Sequence, residues 1–328
     1  MELPAPDQCT LLHRRSIVMN SNHSLNQSAE EISAQWMILW RALVALVGLV
    51  GNLAVVLTFI QHSKLREDGI QLIGLLAVAD SACCISAAML PAIKFVRQEL
   101  LQLIDFSRLD CLLLIFPNIF ALYSSHFLTA LMAINRHKAM ADPVAYYKQR
   151  LSIAKIVGSS LLFSCLGSCP MFLGVDLTLR PVTCYMGFMV LKPVALYMGL
   201  LYMALGLTVL TFHARTMRLL WMKKSQVTTS VTNEEQKKRA ARQAKLTRTT
   251  SAILSIYLVT YFLPMTLVTV ASVMQIRQET IALLTSVVGA GSILNSSLNI
   301  FAYGTRSSII RPYLVVTLKR CWTVLKRS

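Results

Sequence analysis

One acidic side chain in this sequence lies in the middle of a long apolar segment. Asp80 has no basic residue nearby in the sequence, and an ionisable group within a membrane span is costly and marks a candidate functional site. Other apolar segments supply amide and hydroxyl groups at a similar depth, namely Asn52, Ser125, Asn295, Ser296 and Asn299. Such an oxygen set suits a small hard cation such as Na⁺, or it could form an interhelical hydrogen-bond network without an ion. Both the ion site and the ion-free network require these residues to lie close together in the fold. We favour the ion-capable site.

Little in the sequence supports a catalytic function. Asp80 is the only acid and His126 the only histidine in the middle of an apolar segment, so paired carboxylates and a His-rich metal set are lacking. No Cys/His cluster has the spacing of zinc ligands. The sequence therefore predicts a protein that is not an enzyme and has no cofactor apart from Na⁺ at Asp80.

Seven long apolar segments must position these residues. Of the 328 residues, 55% are hydrophobic and 14% charged, whereas a soluble domain has roughly 25% charged residues. Each segment is close to the ~20 residues that a membrane-spanning helix needs. The segments lie at about 36–61, 70–95, 109–134, 152–174, 189–212, 250–274 and 281–304. The predicted fold is an all-α membrane protein, a seven-transmembrane helix bundle with a short C-terminal amphipathic helix.

The distribution of positive charge predicts the orientation of the spans. The net charge is +17, and cytoplasmic loops of membrane proteins collect Lys and Arg. By count, 23 of the 32 Lys and Arg residues lie in 62–69, 135–151, 213–249 and 305–328 or at Lys155. Asn22 and Asn26 begin two N-glycosylation sequons in the polar N-terminus. Both signals predict an extracellular N-terminus on a multi-pass protein of the plasma membrane. Nucleic acid is not an expected partner, because no aromatic residues interleave with the basic runs.

Three features suggest where the helices could move or meet a partner. Arg136 ends the third apolar segment, where its guanidinium could snorkel to water or reach across the bundle to the fifth or sixth helix. Pro264 lies in the middle of the sixth segment, and a kink there would let the inner half of that helix swing. The second half of the basic loop 213–249 is rich in helix-forming residues and is expected to extend the sixth helix. This loop either binds a partner or only enforces the topology.

Taken in order, these residues resemble the rhodopsin-like family of G-protein-coupled receptors over nearly the whole chain. The fragments that carry the resemblance are Gly51-Asn52, Leu76-Ala77-Val78-Ala79-Asp80, Cys111, Asn135-Arg136-His137, Pro143, Cys184, Tyr261-Phe262-Leu263-Pro264 and Asn299-Ile300-Phe301-Ala302-Tyr303. The resemblance implies a disulfide between Cys111 and Cys184. It also implies a G-protein switch formed by Asn135, Arg136 and Tyr303. The implied partners are a heterotrimeric G protein, a small extracellular ligand and membrane lipid.

The chain departs from the family pattern at several positions. Asn135 stands where the family has an acid that pairs with Arg136. Phe262 replaces a tryptophan, and Ile300 replaces a proline. These departures raise the alternative of an orphan or atypical chemoreceptor with constitutive or little G-protein signalling. A membrane transporter is a less favoured alternative, because the sequence shows no internal repeat.

The family's ligand pocket maps onto neutral residues in this chain. Amine receptors carry Asp at the position of Asn118, so the resemblance implies a non-aminergic ligand. The implied lining consists of Asn118, Ile119, Leu122, Phe262, Met265, Thr266, Thr269 and Gly289. Such a lining suits a small neutral or lipid-like ligand. Two short motifs are also weakly similar to melatonin receptors, namely Asn135-Arg136 and a non-proline residue after Asn299 followed by Tyr303-Gly304.

The expected organisation has three parts. They are an extracellular glycosylated N-terminus at 1–35, a seven-transmembrane receptor domain at 36–304, and a cytoplasmic amphipathic helix and tail at 305–328. In the last part, apolar residues alternate with basic ones as in a helix that lies on a membrane surface. Cys321 lies where a palmitoyl chain could be attached, and an unmodified cysteine is the equal alternative.

Overall fold

Helices make up most of the described part of the chain. The computed structural model describes residues 39–66, 70–96, 107–142, 145–146, 152–176, 190–226, 234–307 and 309–326. Two units are distinguished, Met1–Leu43 and Val44–Ser328, and of the first only the start of a helix is described. The predicted glycosylation sites Asn22 and Asn26 lie outside the described residues, as does Cys184. The predicted three-part organisation of the chain stays a prediction.

Seven helices in this part of the chain are long and apolar enough to cross a membrane. They are α1 (Leu39–Gln61), α2 (Gln71–Phe95), α3 (Arg108–Ala141), α4 (Ile153–Ser168), α5 (Lys192–Gln226), α6 and α7 (Gln278–Phe301). α6 consists of Glu234–Tyr257, a π-helical turn at Leu258–Phe262, and Leu263–Val273. A further helix, α8 (Arg311–Leu325), follows the last span. The predicted all-α membrane fold with seven spans and a short C-terminal helix is confirmed.

Two helices, α3 and α5, are longer than predicted. α3 continues to Ala141 rather than to 134, and α5 continues to Gln226 rather than to 212. α6 begins at Glu234, as the predicted extension of the sixth helix required. The segment 213–249 is therefore largely helical, and its prediction as a loop was wrong for residues 213–226. Hydropathy identifies only the part of a helix that lies in lipid. The helical residues beyond the predicted apolar segments are rich in Lys, Arg and Ala, which favour helix in water.

α3 is the central helix of the second unit, because it packs against α2, α4, α5 and α6. Its first turn is fixed by a capping box. The Ser107 hydroxyl accepts a hydrogen bond from the Asp110 N–H at 3.1 Å, and the Asp110 carboxylate accepts one from the Ser107 N–H at 3.0 Å. Large apolar residues such as Leu162 of α4, 63% exposed, lie on the outside, whereas Asp80 is fully buried. This arrangement is typical of helices that face lipid outside and carry polar groups inside.

α6 changes its hydrogen-bond register just before Pro264. Proline has no N–H, and its ring clashes with the carbonyl four residues earlier, here that of Thr260. The helix widens into a π turn in which the Leu263 N–H donates to the Leu258 carbonyl. The irregularity expected at Pro264 therefore extends over the preceding turn, and π turns are frequent at functional sites.

α8 packs against the turn that follows α7. Ile310 and Leu314 are buried, and the ring of Tyr313 lies 4.8 Å from the ring of His62, which follows α1. Leu318, one turn further along the helix, is exposed. Cys321 lies within α8, and its palmitoylation stays a prediction.

A glycine in α4 allows a close approach to α3. A Cβ added at Gly167 would lie 2.7 Å from ring atoms of Tyr123, whereas one added at Gly158 would meet nothing within 4 Å. The Tyr123 ring is fully buried and stacks on Tyr202 with the ring centroids 4.2 Å apart. Its hydroxyl donates to the Met198 carbonyl at 3.3 Å, so the ring is held from two sides.

We expect Gly167→Ala to lower the thermal unfolding temperature of the purified protein in detergent. Overpacking of this kind typically destabilises by about 1–3 kcal/mol. Gly158→Ala is the matched control in the same helix, and there the higher helix propensity of Ala should leave the temperature unchanged or raise it. Equal shifts in the two variants would show that the Tyr123 ring yields, and would contradict the packing described above.

Candidate functional site

The carboxylate of Asp80 is the centre of a polar cluster between α2, α3 and α7. Ser125 Oγ donates to its Oδ1 at 2.7 Å. Ser296 Oγ donates to the same oxygen at 3.1 Å, and Asn299 Nδ2 donates to Oδ2 at 2.7 Å. All four side chains are buried. Side chains from three helices that are distant in sequence thus converge on one carboxylate.

Two further asparagines were predicted for this cluster, and of these Asn52 forms a hydrogen bond within it. Asn52 Nδ2 donates to the backbone carbonyl of Ser296 at 2.9 Å, which connects α1 to the cluster. Asn295 lies next to Ser296 on α7 and is 3% exposed. The side-chain oxygens of Asn52, Asn295 and Asn299 are buried and have no hydrogen-bond partner among the described residues. We call the set Asp80, Asn52, Ser125, Asn295, Ser296 and Asn299 the Asp80 cluster.

The Asp80 cluster has more acceptors than donors. Within the described ranges, no Lys or Arg interacts with the Asp80 carboxylate, so only neutral donors reach it. A buried charge without a counterion is unfavourable, and each buried acceptor without a partner costs a further ~1–3 kcal/mol. The surplus atoms are all oxygens, the ligand type that hard cations prefer. The residues present therefore fit a small hard cation, and water could satisfy the same amide oxygens.

The three predicted switch residues lie at the C-terminal ends of α3 and α7. The Arg136 side chain is 1% exposed, so it lies among the helices and does not snorkel to water. Asn135 Nδ2 donates to the Tyr146 hydroxyl at 3.2 Å and so connects α3 to the segment that follows it. Tyr303 is fully buried in a π-helical turn at Ala302–Arg306. Its hydroxyl has no hydrogen-bond partner in the described part of the chain.

The predicted ligand-pocket residues lie on α3, α6 and α7. Three of them are buried, namely Ile119, Leu122 and Thr269. The other five are half-buried, namely Asn118, Phe262, Met265, Thr266 and Gly289. The hydroxyls of Thr266 and Thr269 donate to carbonyls of their own helix at 2.8 and 2.9 Å. Phe262 lies against Gly206 of α5, where an added Cβ would overlap its ring. The Asn118 amide has no hydrogen-bond partner among the described residues.

An aromatic cluster around His126 was not predicted. The imidazole is fully buried, and its centroid lies 5.3, 5.1 and 3.9 Å from those of Tyr202, Tyr257 and Tyr261. Its Nε2 and the Tyr257 hydroxyl have no hydrogen-bond partner among the residues described. The sequence held two signals, a lone mid-span histidine and two tyrosines spaced by one helical turn. It did not show that α3, α5 and α6 bring them together.

Cys111 is buried in the first turn of α3. Its expected partner, Cys184, lies outside the described residues. The disulfide between them stays a prediction.

Residues 51–303 match the family model described as 7 transmembrane receptor (rhodopsin family). The match covers more than half of the 328 residues and includes every residue of the Asp80 cluster. Among the individual curated proteins compared, none matches the chain. The match is to the family as a whole, so the similarity to melatonin receptors stays a prediction.

The unpartnered hydroxyl in the His126 cluster can be tested by removing it. We expect Tyr257→Phe to leave the thermal unfolding temperature unchanged or to raise it, because a buried hydroxyl without a partner is unfavourable. Tyr123→Phe is the matched comparison, since it removes a hydroxyl that donates to Met198. It should destabilise by about 0.5–1.5 kcal/mol. If Tyr257→Phe lowered the thermal unfolding temperature as much as Tyr123→Phe does, the Tyr257 hydroxyl would have a hydrogen-bond partner.

Proposed function

Since this chain belongs to the rhodopsin family of seven-transmembrane receptors, we propose that it transduces a small, non-aminergic extracellular ligand to a cytoplasmic heterotrimeric G protein. Family membership makes it a multi-pass membrane protein and a receptor rather than an enzyme. In the proposed orientation the N-terminus is extracellular at the plasma membrane, and α8 lies in the cytoplasm. The single observation that carries the proposal is the buried Asp80 carboxylate, which accepts hydrogen bonds from side chains of α3 and α7 and has no basic partner among the described residues.

The ligand contacts proposed for this receptor centre on Asn118. Its side chain is half-buried, neutral and without a hydrogen-bond partner among the described residues. An amide both donates and accepts, so it suits a neutral ligand and offers no ion pair to a protonated amine. Ile119 and Leu122 on the same helix add buried apolar surface. These features support a small neutral or lipid-like ligand.

The proposed conformational change centres on α6. Phe262 is the last residue of the π turn at Leu258–Phe262 and one of the pocket residues. A ligand that shifts this ring against Gly206 would act on the turn directly. Because α6 extends to Glu234, a small rotation at the turn displaces its cytoplasmic end by a larger distance. That displacement would open the space around Arg136 to the G protein.

The Asp80 cluster is proposed to hold Na⁺ in the inactive conformation. Bound there, the ion would supply the positive charge that the buried carboxylate lacks. Asp80, Ser125 and Asn299 lie on three different helices, so a movement that separates these helices removes ligands from the ion. A ligand or ion bound better by one conformation shifts the population towards that conformation.

Constitutive signalling is the second candidate function. The observation that favours it is the hydrogen bond of Asn135 to Tyr146. Asn135 carries no charge, so it cannot form the ion pair with Arg136 that the family's acid makes. A receptor without this restraint is expected to have a higher basal activity.

The proposed coupling is tested by guanine-nucleotide exchange on purified G proteins in membranes that contain the receptor. We expect the receptor to accelerate exchange, and Arg136→Gln to abolish the acceleration while the receptor still reaches the cell surface. Arg320→Gln, which alters an exposed residue of α8, is the control for net charge and should retain activity. If the receptor accelerates exchange on none of the G-protein classes, with or without candidate ligands, the coupling is refuted.

The sodium site is tested in the same assay at constant ionic strength, because salt also screens the basic cytoplasmic segments. Replacing Na⁺ by a large organic cation should raise basal exchange by the wild type and leave Asp80→Asn unchanged. Ser125→Ala should weaken the response, since it removes the 2.7 Å donor to Oδ1. Ser292→Ala is the matched control, because this buried serine of α7 donates to the Gly289 carbonyl instead. Identical responses of wild type and Asp80→Asn would reduce Asp80 to a structural hydrogen-bonding group.

A further inference from the structure

A cavity of about 670 Å³ lies at the C-terminal end of α3, between that end, residues 145–146 and the start of α4. Lys138 of α3 and Lys155 of α4 line it, together with the apolar residues Leu131 and Ile156. On α3, Leu131 lies about two turns before Lys138. Lys155 lies in the first turn of α4. The cavity therefore combines two basic groups near the helix ends with apolar surface further along the helices.

Two lysines line this cavity without a partner among the described residues. Lys138 and Lys155 are exposed, and neither forms an ion pair or a side-chain hydrogen bond with another residue of the described chain. Asp142 is the one acid among the described lining residues, and its carboxylate accepts the Ala145 N–H at 2.9 Å. The described lining thus carries a net positive charge, with Lys138 and Lys155 against Asp142. Ser152 adds a hydroxyl next to these groups.

The apolar side of the cavity continues along α4. Residues three and four apart lie on the same face of a helix, so the lining residue Ser159 is followed on that face by Leu162 and Leu166. These two side chains are 63% and 56% exposed. A ligand with a charged end in the cavity would therefore find a continuous apolar ridge for its other end.

We propose that this cavity binds the headgroup of an anionic phospholipid, with an acyl chain along the exposed face of α4. Two ammonium groups match an anionic headgroup, and basic pockets between spans on the cytoplasmic side bind such headgroups. A free inorganic anion would use the lysines but not the ridge of Leu162 and Leu166. The assignment to the cytoplasmic leaflet rests on the orientation in the proposed function, whereas binding to the cavity itself does not.

The bound lipid would contact the residue that precedes the switch arginine. Asn135 and Tyr146 both line the cavity, and the 3.2 Å hydrogen bond between them connects α3 to the following segment. A headgroup oxygen in the cavity competes for, or adds to, the hydrogen bonds of this pair. Lipid composition thereby acts on the position of Arg136.

The test measures binding of a fluorescent short-chain phosphatidylserine to the purified full-length receptor in uncharged detergent, without a G protein. The double variant Lys138→Gln/Lys155→Gln should weaken binding roughly 25-fold, because each Lys near an anionic lipid surface contributes about a fivefold factor. The control Lys245→Gln/Lys319→Gln removes two exposed lysines outside the cavity and should bind as the wild type does. Ala141→Trp fills the cavity without changing charge, and should also prevent binding while the receptor remains folded by thermal unfolding.

Three results would overturn the proposal. Equal losses in the two double variants would show that binding follows net charge and not the cavity. Equal binding of the phosphatidylcholine analogue would show that the charge of the headgroup is irrelevant. Displacement of the probe by glycerophosphoserine or inorganic phosphate as effectively as by the lipid would make the occupant a soluble anion. Because no step depends on nucleotide exchange, a failure here is distinct from a failure of G-protein coupling.

Discussion

A buried carboxylate that only neutral donors reach in the described part of the chain determines how the helices of this receptor meet. Asp80 on α2 accepts hydrogen bonds from Ser125 on α3 and from Ser296 and Asn299 on α7. Neutral donors stabilise a charge less than an opposite charge does, so several must converge, and each comes from a fixed position on its helix. Asn52 then connects α1 through the Ser296 carbonyl. Most of the other spans are positioned relative to this centre, because α3 also packs against α4, α5 and α6.

The departures from the family pattern change local structure more than they change the fold. Where the family has a proline, Ile300 lets α7 continue as a regular helix to Phe301, and the irregular turn begins only at Ala302. Phe262 in the position of a tryptophan is a smaller ring, and it lies directly against Gly206. His126 is surrounded by tyrosines of α5 and α6. Neutral polar groups in this core can exchange hydrogen-bond partners without a change of charge.

The sequence predicted what depends on local chemistry and missed what depends on the approach of separate helices. The spans followed from hydropathy, and the Asp80 cluster followed from the need of a buried carboxylate for partners. The ends of α3 and α5 could not be predicted in this way, because hydropathy identifies only the part of a helix that lies in lipid, and both helices continue beyond it. The bond from Asn135 to Tyr146 and the stack of Tyr123 on Tyr202 depend on interhelical distances. No spacing within one helix encodes those distances.

The proposed sites for ligand, ion and lipid all include residues of α3. Asn118, Ser125, Asn135 and Lys138 lie on this one continuous helix of 34 residues, so the three occupants share an element that moves largely as a unit. If each binds one conformation better than the other, binding of any one changes the affinity for the other two, and the changes are reciprocal. The lipid is present at all times in the membrane and Na⁺ is abundant outside the cell. Both would therefore act as constant conditions that determine the resting population, against which the extracellular ligand supplies the variable signal.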